Sequence, residues 1–370
     1  MTISKTVRNG LLVAAGLLAF TAIAPAQEQE VTIQMTSTWP PGIDLIQADQ
    51  HFVEIVNSLG EGSIQIQFFP GESLIPSTQV FDAVRSGSIQ ASADWPGYWA
   101  GTDTAFSLIG SFPMFFGVAD YILWIQSWGG AALFDEVYGK YDMKYLPYSL
   151  ISTESGLRGN TPIASLEDLA GKRVRMSGRP QGAILAEFGA SQIMLPGSEV
   201  YQSLERGVVD AAEFSMPSTD LGMGFQEVTK HQMSPGWHQP GSMSGVMINQ
   251  AVWDGLSDKQ KKILETAAAA TMTWSLAHYE KASVEAVKKF AEAGTTVHKL
   301  SDEDMAKLQS LSNKLLVDEA CANPLFAKVA LSQLEYLDDY SQWRDMQGEF
   351  SLGRNLSEFP DIEAVRGCAE

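Results

Sequence analysis

The sequence alternates between strand and helix patterns, and this alternation limits the possible folds more than any other feature. Apolar residues alternate at 31–38 and again at 63–69, whereas 45–59 has apolar residues at helical spacing. Residues 77–86 have a helical pattern, and 89–94 complete a strand-helix-strand-helix-strand unit. Such a unit predicts parallel strands that are joined by right-handed crossovers.

The same order of patterns recurs between residues 173 and 214. Strands are predicted at 174–176, 191–195 and 208–214. The first helix between them has Pro180 in its first turn and ends before Gly189, and the second is capped by Ser198 and reaches Arg206. Residues 80–89 and 200–209 also match in residue class at most positions, which indicates a weak internal repeat.

Two such units fit either one large doubly wound sheet or two lobes that face each other across a cleft. Ligands of parallel sheets bind beyond the carboxyl ends of the strands, so two facing sheets place both binding edges on one gap. We therefore predict an α/β fold with a parallel-rich sheet in each lobe. Lobe 1 is predicted at 27–150, completed by part of 237–290, and lobe 2 at 151–236.

The last third of the chain, 252–370, is predicted to be a helical region that begins with a long bridging helix. Ser257 and Gln260 have the spacing of a capping box, and the helical pattern continues from Asp258 to Ala293. A helix of this length measures about 54 Å, enough to run along both lobes as a brace. A second capped segment begins at Ser301.

The first 26 residues have the layout of a secretory leader. Lys5 and Arg8 precede an apolar run at 10–24, and Ala24-Pro25-Ala26 precedes a polar stretch, so cleavage is expected after Ala26. The alternative is a membrane anchor, but the apolar run is shorter than the roughly 20 residues that cross a bilayer. This layout predicts export to the periplasm.

The net charge makes nucleic acid and anionic lipid poor partners. It is −19 for the whole chain, and removal of Lys5 and Arg8 with the leader makes it −21. A small anionic ligand is still compatible, because a few buried arginines set the potential inside a cleft.

The sequence has two cysteines, Cys321 and Cys368, which are too far apart for a CxxC pattern. In an oxidising compartment they would tether the C-terminal tail, and two free thiols are the alternative.

The usual catalytic signatures are missing from the sequence. It contains no HExxH or GxSxG motif, and Gly171-Lys172 is followed by Arg173 where a P-loop has Ser or Thr. None of the five histidines is paired with another at metal-ligand spacing, and lone histidines are more often surface or packing residues; they are His51, His231, His238, His278 and His298. The sequence therefore gives no support for an enzyme.

A short strand with two arginines is the most informative stretch. Gly171 ends a turn, and Arg173 and Arg175 then share one face of the strand that follows. If this strand lies at the edge of a sheet, both arginines are ordinary surface residues. On a strand buried by helices, however, an inward arginine needs an anion, and its guanidinium matches a carboxylate with two parallel bonds. Arg175, followed by a small residue and a glycine, is the better candidate.

The sequence resembles the solute receptors of tripartite ATP-independent periplasmic (TRAP) transporters, of the DctP family, over essentially the whole mature chain. The segment Asp168-Leu169-Ala170-Gly171-Lys172-Arg173-Val174-Arg175 resembles the family pattern Asp-Leu-x-Gly-x-x-x-Arg. Residues 201–213 resemble the segment that leads to the cleft, and Pro235-Gly236-Trp237-His238 resembles a returning segment of the 2-oxo-acid branch. The resemblance implies a two-lobed periplasmic binding protein that passes its guest to TRAP permease subunits, and the sequence leaves a homodimer open.

The resemblance also implies roles for individual residues. Arg175 would clamp the carboxylate of a 2-oxo or 2-hydroxy monocarboxylate. Glu213 and Phe214 stand where the branch has a Glu-Trp pair that holds a cation, Na⁺ or Ca²⁺, against the substrate. Glu154 falls where the branch has a glutamine ligand, and a second carboxylate there would favour a divalent ion; a solvated loop residue is the alternative. Arg158 corresponds, with a gap, to a second arginine of other branches.

Two aromatic residues of the first lobe are also predicted at the cleft. Trp39 follows the opening strand and Tyr98 follows the third strand, where a cleft edge is expected; ordinary packing between lobes is the alternative for both. For Trp99, ordinary packing is the prediction.

Two other functions stay open: an enzyme that uses Glu154 or Glu213 as acid or base, and a ligand-binding partner of a chemosensor.

Overall fold

The computed structural model describes residues 30–348 and 359–369, so the expected leader at 1–26 lies outside the described residues. The strands, in chain order, are β1 (Val31–Ser37), β2 (Ile64–Phe68), β3 (Ala91–Asp94), β4 (Met143–Ile151), β5 (Leu157–Gly159), β6 (Arg173–Arg175), β7 (Ser191–Ile193), β8 (Ala211–Ala212), β9 (His231–Ser234), β10 (Ser242–Asn249) and β11 (Thr296–Lys299). The helices are α1 (Ile46–Gly60), α2 (Val80–Arg85), α3 (Ala105–Gly110), α4 (Val118–Ser127), α5 (Gly130–Gly139), α6 (Arg179–Glu187), α7 (Gly197–Glu205), α8 (Pro217–Gly222), α9 (Phe225–Val228), α10 (Gln250–Asp254), α11 (Asp258–Glu292), α12 (Asp302–Ala322), α13 (Pro324–Gln347) and α14 (Ile362–Ala369).

The strands form two sheets, and the predicted α/β fold class is confirmed. The first sheet has the order β2-β1-β3-β10-β4, with β1 parallel to β2 and β3, and with β10 antiparallel to its neighbours. The second has the order β11-β9-β5-β8-β6-β7, with β6 parallel to β7 and β8. The chain therefore passes from one sheet to the other three times: after β4, after β9 and after β10.

Three details differ from the sequence-based expectation, two in the second unit and one in the last third of the chain. The predicted strand at 208–214 is reduced to β8, because the chain is still turning at Gly207, with φ +65°, and leaves the sheet again at Glu213. Ser198 is not a cap: α7 begins at Gly197 after Pro196, so Ser198 lies inside the first turn. The four-residue strand β11, paired in parallel with β9, interrupts the helical last third.

The long helix α11 contacts both lobes, as the brace in the sequence-based interpretation requires. Its capping box is present, with Ser257 and Gln260 each bonded to the other's backbone. On the first lobe, the Tyr279 hydroxyl donates to the Leu45 carbonyl at 3.0 Å. On the second lobe, the Phe290 ring lies 3.7 Å from the guanidinium carbon of Arg158. The predicted capping box at Ser301 is also present.

Asp44 joins the two lobes directly. It lies between β1 and α1 in the first lobe, and its carboxylate accepts a 2.6 Å hydrogen bond from Ser218 of α8 in the second lobe. The other carboxylate oxygen lies 2.9 Å from His278 Nε2 on α11. One side chain therefore connects both lobes and the bridging helix, outside the gap between the sheets.

The C-terminal helices pack on the first lobe and are joined to one another by a disulfide. Leu316, Phe326 and Leu334 belong to the same buried cluster as Phe106 and other core residues of that lobe. Cys321 of α12 and Cys368 of α14 form the disulfide, with their Cα atoms 4.5 Å apart. No helix in the described ranges has both the length and the apolar character needed to cross a membrane.

Removing the disulfide is expected to lower the thermal stability. The bond closes a sequence separation of 47 residues, and the chain-entropy relation gives a stabilisation of about 4 kcal/mol for a loop of this size. For the Cys321→Ser/Cys368→Ser variant we expect the melting temperature in circular dichroism to fall by about 4–10 °C. Dithiothreitol should lower the melting temperature of the parent and leave that of the variant unchanged. Equal melting temperatures for reduced and oxidised parent would contradict a stabilising disulfide.

Candidate ligand-binding site between the lobes

A cavity of about 360 Å³ lies between the two lobes, in the size range of small-molecule sites. It opens at the carboxyl ends of the parallel strands, because Thr38 follows β1, Tyr98 follows β3 and Ser177 follows β6. The first lobe supplies Thr38, Ser77, Thr78, Tyr98 and Trp99, and the second supplies Arg175, Ser177, Met194, Leu195, Pro196 and Gly197.

Arg175 lies on the cavity wall and is held by the second lobe. Only 1% of its surface is exposed. Its Nε and Nη2 atoms donate to the Leu195 carbonyl at 3.3 and 3.1 Å, and Nη1 donates to the Glu213 carbonyl and side chain at 2.8 and 2.9 Å. These four bonds use all but one of the five N–H donors of a guanidinium. The neighbouring Arg173 is exposed and pairs with Asp210, so the two arginines of β6 have separate surroundings.

Glu213 has one oxygen with several donors and one with none. It follows β8 directly, at the same edge of the sheet as Arg175. Its Oε1 accepts hydrogen bonds from Arg175 and from the backbone and hydroxyl of Ser177. Its Oε2 is buried and has no hydrogen-bond partner among the described residues. A buried carboxylate oxygen without a donor is unfavourable, and a cation beside it would remove that penalty.

Glu154 and His238 form a second buried pair next to Glu213. His238 Nε2 lies 2.9 Å from Glu154 Oε2. Burial, with the nearby Glu213 carboxylate, holds the pKa of Glu154 well above its usual value. Burial also lowers the pKa of His238 to about 4, so the imidazole is neutral at pH 7.

The backbone explains why these two residues meet although they are far apart in the sequence. The Glu154 N–H donates to the Gln239 carbonyl at 3.2 Å. Gly236 allows this approach, because a Cβ atom at that position would lie 2.2 Å from the Glu154 carbonyl oxygen. Segment 235–239 therefore packs directly against the loop that carries Glu154.

The three side chains have the donor set of a cation site. One ligand atom from each of Glu154, Glu213 and His238 lies within 4.8 Å of the other two, and all three residues are buried. Glu213, one of the three, is the residue whose Oε2 has no hydrogen-bond partner among the described residues. The residues present therefore fit a bound cation, and the carbonyl of Phe214 is the adjoining backbone oxygen in the sequence. The Phe214 ring lies 5.2 Å from the guanidinium carbon of Arg175.

The first lobe covers the cavity with aromatic side chains. Tyr98 lines the cavity, and burial raises the pKa of its phenol, which keeps the hydroxyl protonated. Trp39 is buried with its ring centroid 5.8 Å from that of Tyr98, but it is not one of the lining residues. Trp99, for which the sequence predicted packing alone, lines the cavity and donates its indole N–H to Asp94.

Arg158 is not brought to the cavity with Arg175. Its Nε donates to Asp220 at 2.7 Å, both side chains are buried, and its guanidinium lies over the Phe290 ring. Burial requires a charged partner for an arginine, and Asp220 already supplies it. Arg158 therefore stabilises the packing of β5 against α8 and α11.

Sequence reasoning missed two kinds of residue at this site. Thr38, Ser177 and Leu195 line the cavity and lie one or two residues beyond the ends of β1, β6 and β7, and that position was a usable signal. His238 gave no such signal, since its partner Glu154 lies 84 residues away and in another segment.

The chain has relatives among periplasmic and TRAP solute-binding proteins. The chain is 25% identical over 325 residues, 88% of this chain and 86% of the relative, to a monocarboxylate 2-oxoacid-binding periplasmic protein of Nostoc sp.. It is similar to a TRAP transporter solute-binding protein of Bordetella bronchiseptica RB50, a mixed-occupancy dimer with calcium and picolinate in one active site. The TM-score is 0.82 at 26% identity, covering 86% of this chain and 95% of that one.

A second solved structure has a related guest. This TRAP solute-binding protein of Pseudoalteromonas atlantica T6c, with bound sodium and pyruvate, gives a TM-score of 0.79 at 25% identity, covering 86% of this chain and 97% of that one.

A protein family also matches most of the chain. It is DctP, described as bacterial extracellular solute-binding protein, family 7, and it matches residues 35–321. Because this match covers well over half of the chain, including the residues that line the cavity and the bridging helix α11, the chain belongs to the DctP family of extracellular solute-binding proteins.

Proposed function

We propose that this protein is a periplasmic receptor of a TRAP transporter that binds a small 2-oxo or 2-hydroxy monocarboxylate together with a cation. The observation that supports this most is a buried arginine at an inter-lobe cavity, next to two buried carboxylates, one of which has an unpartnered oxygen. The closed receptor then delivers its guest to the membrane permease, where opening of the lobes releases it.

The charges of the site support a bridging cation. Arg175 contributes one positive charge, and Glu154 and Glu213 contribute two negative charges when both are ionised. A monocarboxylate adds a third, so the fully ionised cluster has a charge of about −2, and the raised pKa of Glu154 means that the carboxyl groups ionise together only when a cation is bound. One divalent ion makes the cluster neutral. Glu154 and Glu213 would hold this ion with the Phe214 carbonyl, and the guest would complete the coordination.

The hydrogen bonds of Arg175 suggest how the cation and the acid depend on each other. Without a guest, Glu213 is the internal counter-ion of Arg175. When Glu213 interacts with the cation, its hold on Arg175 Nη1 weakens, and the guanidinium can bind the carboxylate of the guest. Each hydrogen bond to a charged group contributes about 1.5–3 kcal/mol, so two would supply much of the roughly 8 kcal/mol of a micromolar affinity.

The guests of the relatives share one chemical feature that fits this arrangement. Pyruvate has a keto oxygen beside its carboxylate, and picolinate has a ring nitrogen in the same position. Both can therefore bind a cation through two adjacent donor atoms while a carboxylate oxygen stays available to an arginine. The same pair of contacts, one to the cation and one to Arg175, is what we propose for the guest of this protein.

Two further parts of the proposal concern processing and catalysis. The relatives are periplasmic proteins, and we propose that this chain is exported with cleavage after Ala26. We also propose that the guest leaves unchanged, because Glu154 and Glu213 interact with His238 and Arg175 and would hold the cation instead of transferring protons to a substrate. Recovery of chemically altered guest after incubation would favour an enzyme.

A thermal-shift screen of short acids, with and without a chelator, tests the proposed function. Ligand at one hundred times its dissociation constant stabilises a protein by about 2.7 kcal/mol. For pyruvate or lactate we therefore expect the melting temperature to rise by about 5 °C, and we expect the rise to disappear with EDTA. Propionate is the matched control, because it lacks the second donor atom. An equal rise with propionate would contradict the cation bridge, and a rise that EDTA leaves intact would contradict a divalent ion in it.

A further inference from the structure

We propose that the guest of this receptor is a 2-oxo monocarboxylate with a bulky apolar tail, of the size of one aromatic ring, and that Met194 selects this tail. The inference rests on the proposed function, because the acid group of the guest is the one that Arg175 and the cation hold. It goes further in naming what the rest of the cavity accepts and which residue decides it.

The cavity has more space than a three-carbon acid requires. Its volume is about 360 Å³. A water molecule takes about 30 Å³ in the liquid and a covalently bonded atom takes less, so the six non-hydrogen atoms of pyruvate occupy less than about 180 Å³. At least half of the cavity therefore stays open beside such a guest. Because small-molecule sites enclose most of the surface of their ligand, a larger guest suits this cavity better.

The walls around this extra space are mostly apolar. The rings of Tyr98 and Trp99 line the cavity from the first lobe, on the other side of the gap from the second lobe. The second lobe supplies the three consecutive apolar residues Met194, Leu195 and Pro196. Burial of apolar surface between these walls is the main gain that a tail can make here. The extra space therefore favours an apolar tail.

The aromatic part of the wall is held in place by the first lobe itself. Trp99 donates its indole N–H to Asp94, the last residue of β3. Its ring also packs against Phe81, with 4.9 Å between the ring centroids. A surface that is already fixed loses little freedom when a guest binds, and a second ring gains from offset or tilted contact with it. These contacts favour a ring on the tail of the guest.

The exposure of the lining residues gives the direction of the tail. Arg175 and Ser177 are 1% and 4% exposed, whereas Met194 is 56% exposed. The acid group binds at the buried end, beside Arg175, so the tail extends towards the open end and covers Met194. A methionine side chain is flexible, and its sulfur makes favourable contacts with aromatic rings. Met194 is therefore the residue that meets the far end of the tail.

The charge of the lining argues against a second carboxylate on the tail. Among the described residues that line the cavity, Arg175 is the only arginine or lysine, and its charge is used by the acid group. A second carboxylate would lie between apolar walls without a cationic partner, which is unfavourable. The tail is therefore uncharged.

Calorimetry with three acids that share one 2-oxo acid group tests the tail. Phenylpyruvate, pyruvate and 2-oxoglutarate are each titrated into the protein purified after export, in sodium chloride with saturating Ca²⁺. One buried carbon is worth about fourfold in affinity, so burial of only half of the phenyl ring gives about fiftyfold. We expect phenylpyruvate to bind about fiftyfold more tightly than pyruvate, and 2-oxoglutarate to bind no more tightly than pyruvate.

Met194→Lys should shift the preference towards the acid with a charged tail. The lysine places a positive charge at the open end, next to the second carboxylate of 2-oxoglutarate, and removes the contact with the phenyl ring. We expect the affinity for 2-oxoglutarate relative to that for phenylpyruvate to rise at least about tenfold. Met346→Lys is the matched control, because Met346 is 73% exposed on α13 and does not line the cavity. This control should keep the parental ratio.

The outcomes separate this inference from the proposed function. If phenylpyruvate binds less than about tenfold more tightly than pyruvate, the apolar tail is wrong and the receptor function stands. An unchanged ratio in Met194→Lys, or the same change in Met346→Lys, would overturn the role of Met194. If none of the three acids binds, the proposed function itself fails. The comparison of the acids on the parent does not depend on whether any variant folds.

Discussion

Arg175→Ala should bind its organic acid at least about a hundredfold more weakly than the parent. The guanidinium is buried at the cavity wall, and no other arginine or lysine lines the cavity among the described residues. Losing two charged hydrogen bonds costs about 3–6 kcal/mol, and 1.4 kcal/mol corresponds to a factor of ten in affinity. Calorimetric titration with pyruvate in the presence of a saturating divalent cation measures this loss.

Two companion variants separate binding from folding. Arg175→Lys keeps the charge beside Glu213 but not the planar fork, so we expect it to fold and to bind with intermediate affinity. Arg173→Ala, two residues away on the same strand, removes an exposed arginine that pairs with Asp210 and should bind as the parent does. A parental dissociation constant for folded Arg175→Ala would contradict the carboxylate clamp. Circular dichroism establishes that each variant is folded.

Much of the fold could be predicted because its signals are local. The apolar alternation of β1 and β2, the helical spacing of α1 and the capping box of Ser257 each need only a few neighbouring residues. The errors are also local. Pro196 starts α7 before Ser198 can cap it, and β8 has only two residues, Ala211 and Ala212. A two-residue strand depends on the strands beside it, which the sequence does not reveal.

The same distinction between local and long-range signals applies to the residues of the site. Arg175 stood out because an inward arginine on a buried strand demands an anion, and the structure brings it next to Glu213. Arg158 has the same residue type and the same burial, but its anion is Asp220, which lies 62 residues further along the chain. The resemblance therefore made both arginines candidates for binding the substrate. Only the fold distinguishes an arginine at a cavity from one in a closed ion pair.

Glu154→Gln should change the cation on which binding depends. Glutamine keeps an oxygen ligand but removes one negative charge from the buried cluster of Arg175, Glu213, the acid and the cation. In the parent a divalent ion makes the cluster neutral, whereas in the variant a monovalent ion does so. We expect the variant to lose about a hundredfold in affinity for divalent metals and to gain pyruvate binding that requires Na⁺.

Calorimetry in sodium chloride and in choline chloride, each with and without EDTA, distinguishes the two dependences. For the parent, EDTA should abolish pyruvate binding in both salts. For Glu154→Gln, binding should persist with EDTA in sodium chloride and vanish in choline chloride. Glu199→Gln, an exposed carboxylate in the first turn of α7, is the charge-matched control and should follow the parent. The substitution is designed to change only the net charge of the buried cluster. If EDTA abolishes pyruvate binding by Glu154→Gln in sodium chloride, as it does for the parent, the charge at this position does not select the cation.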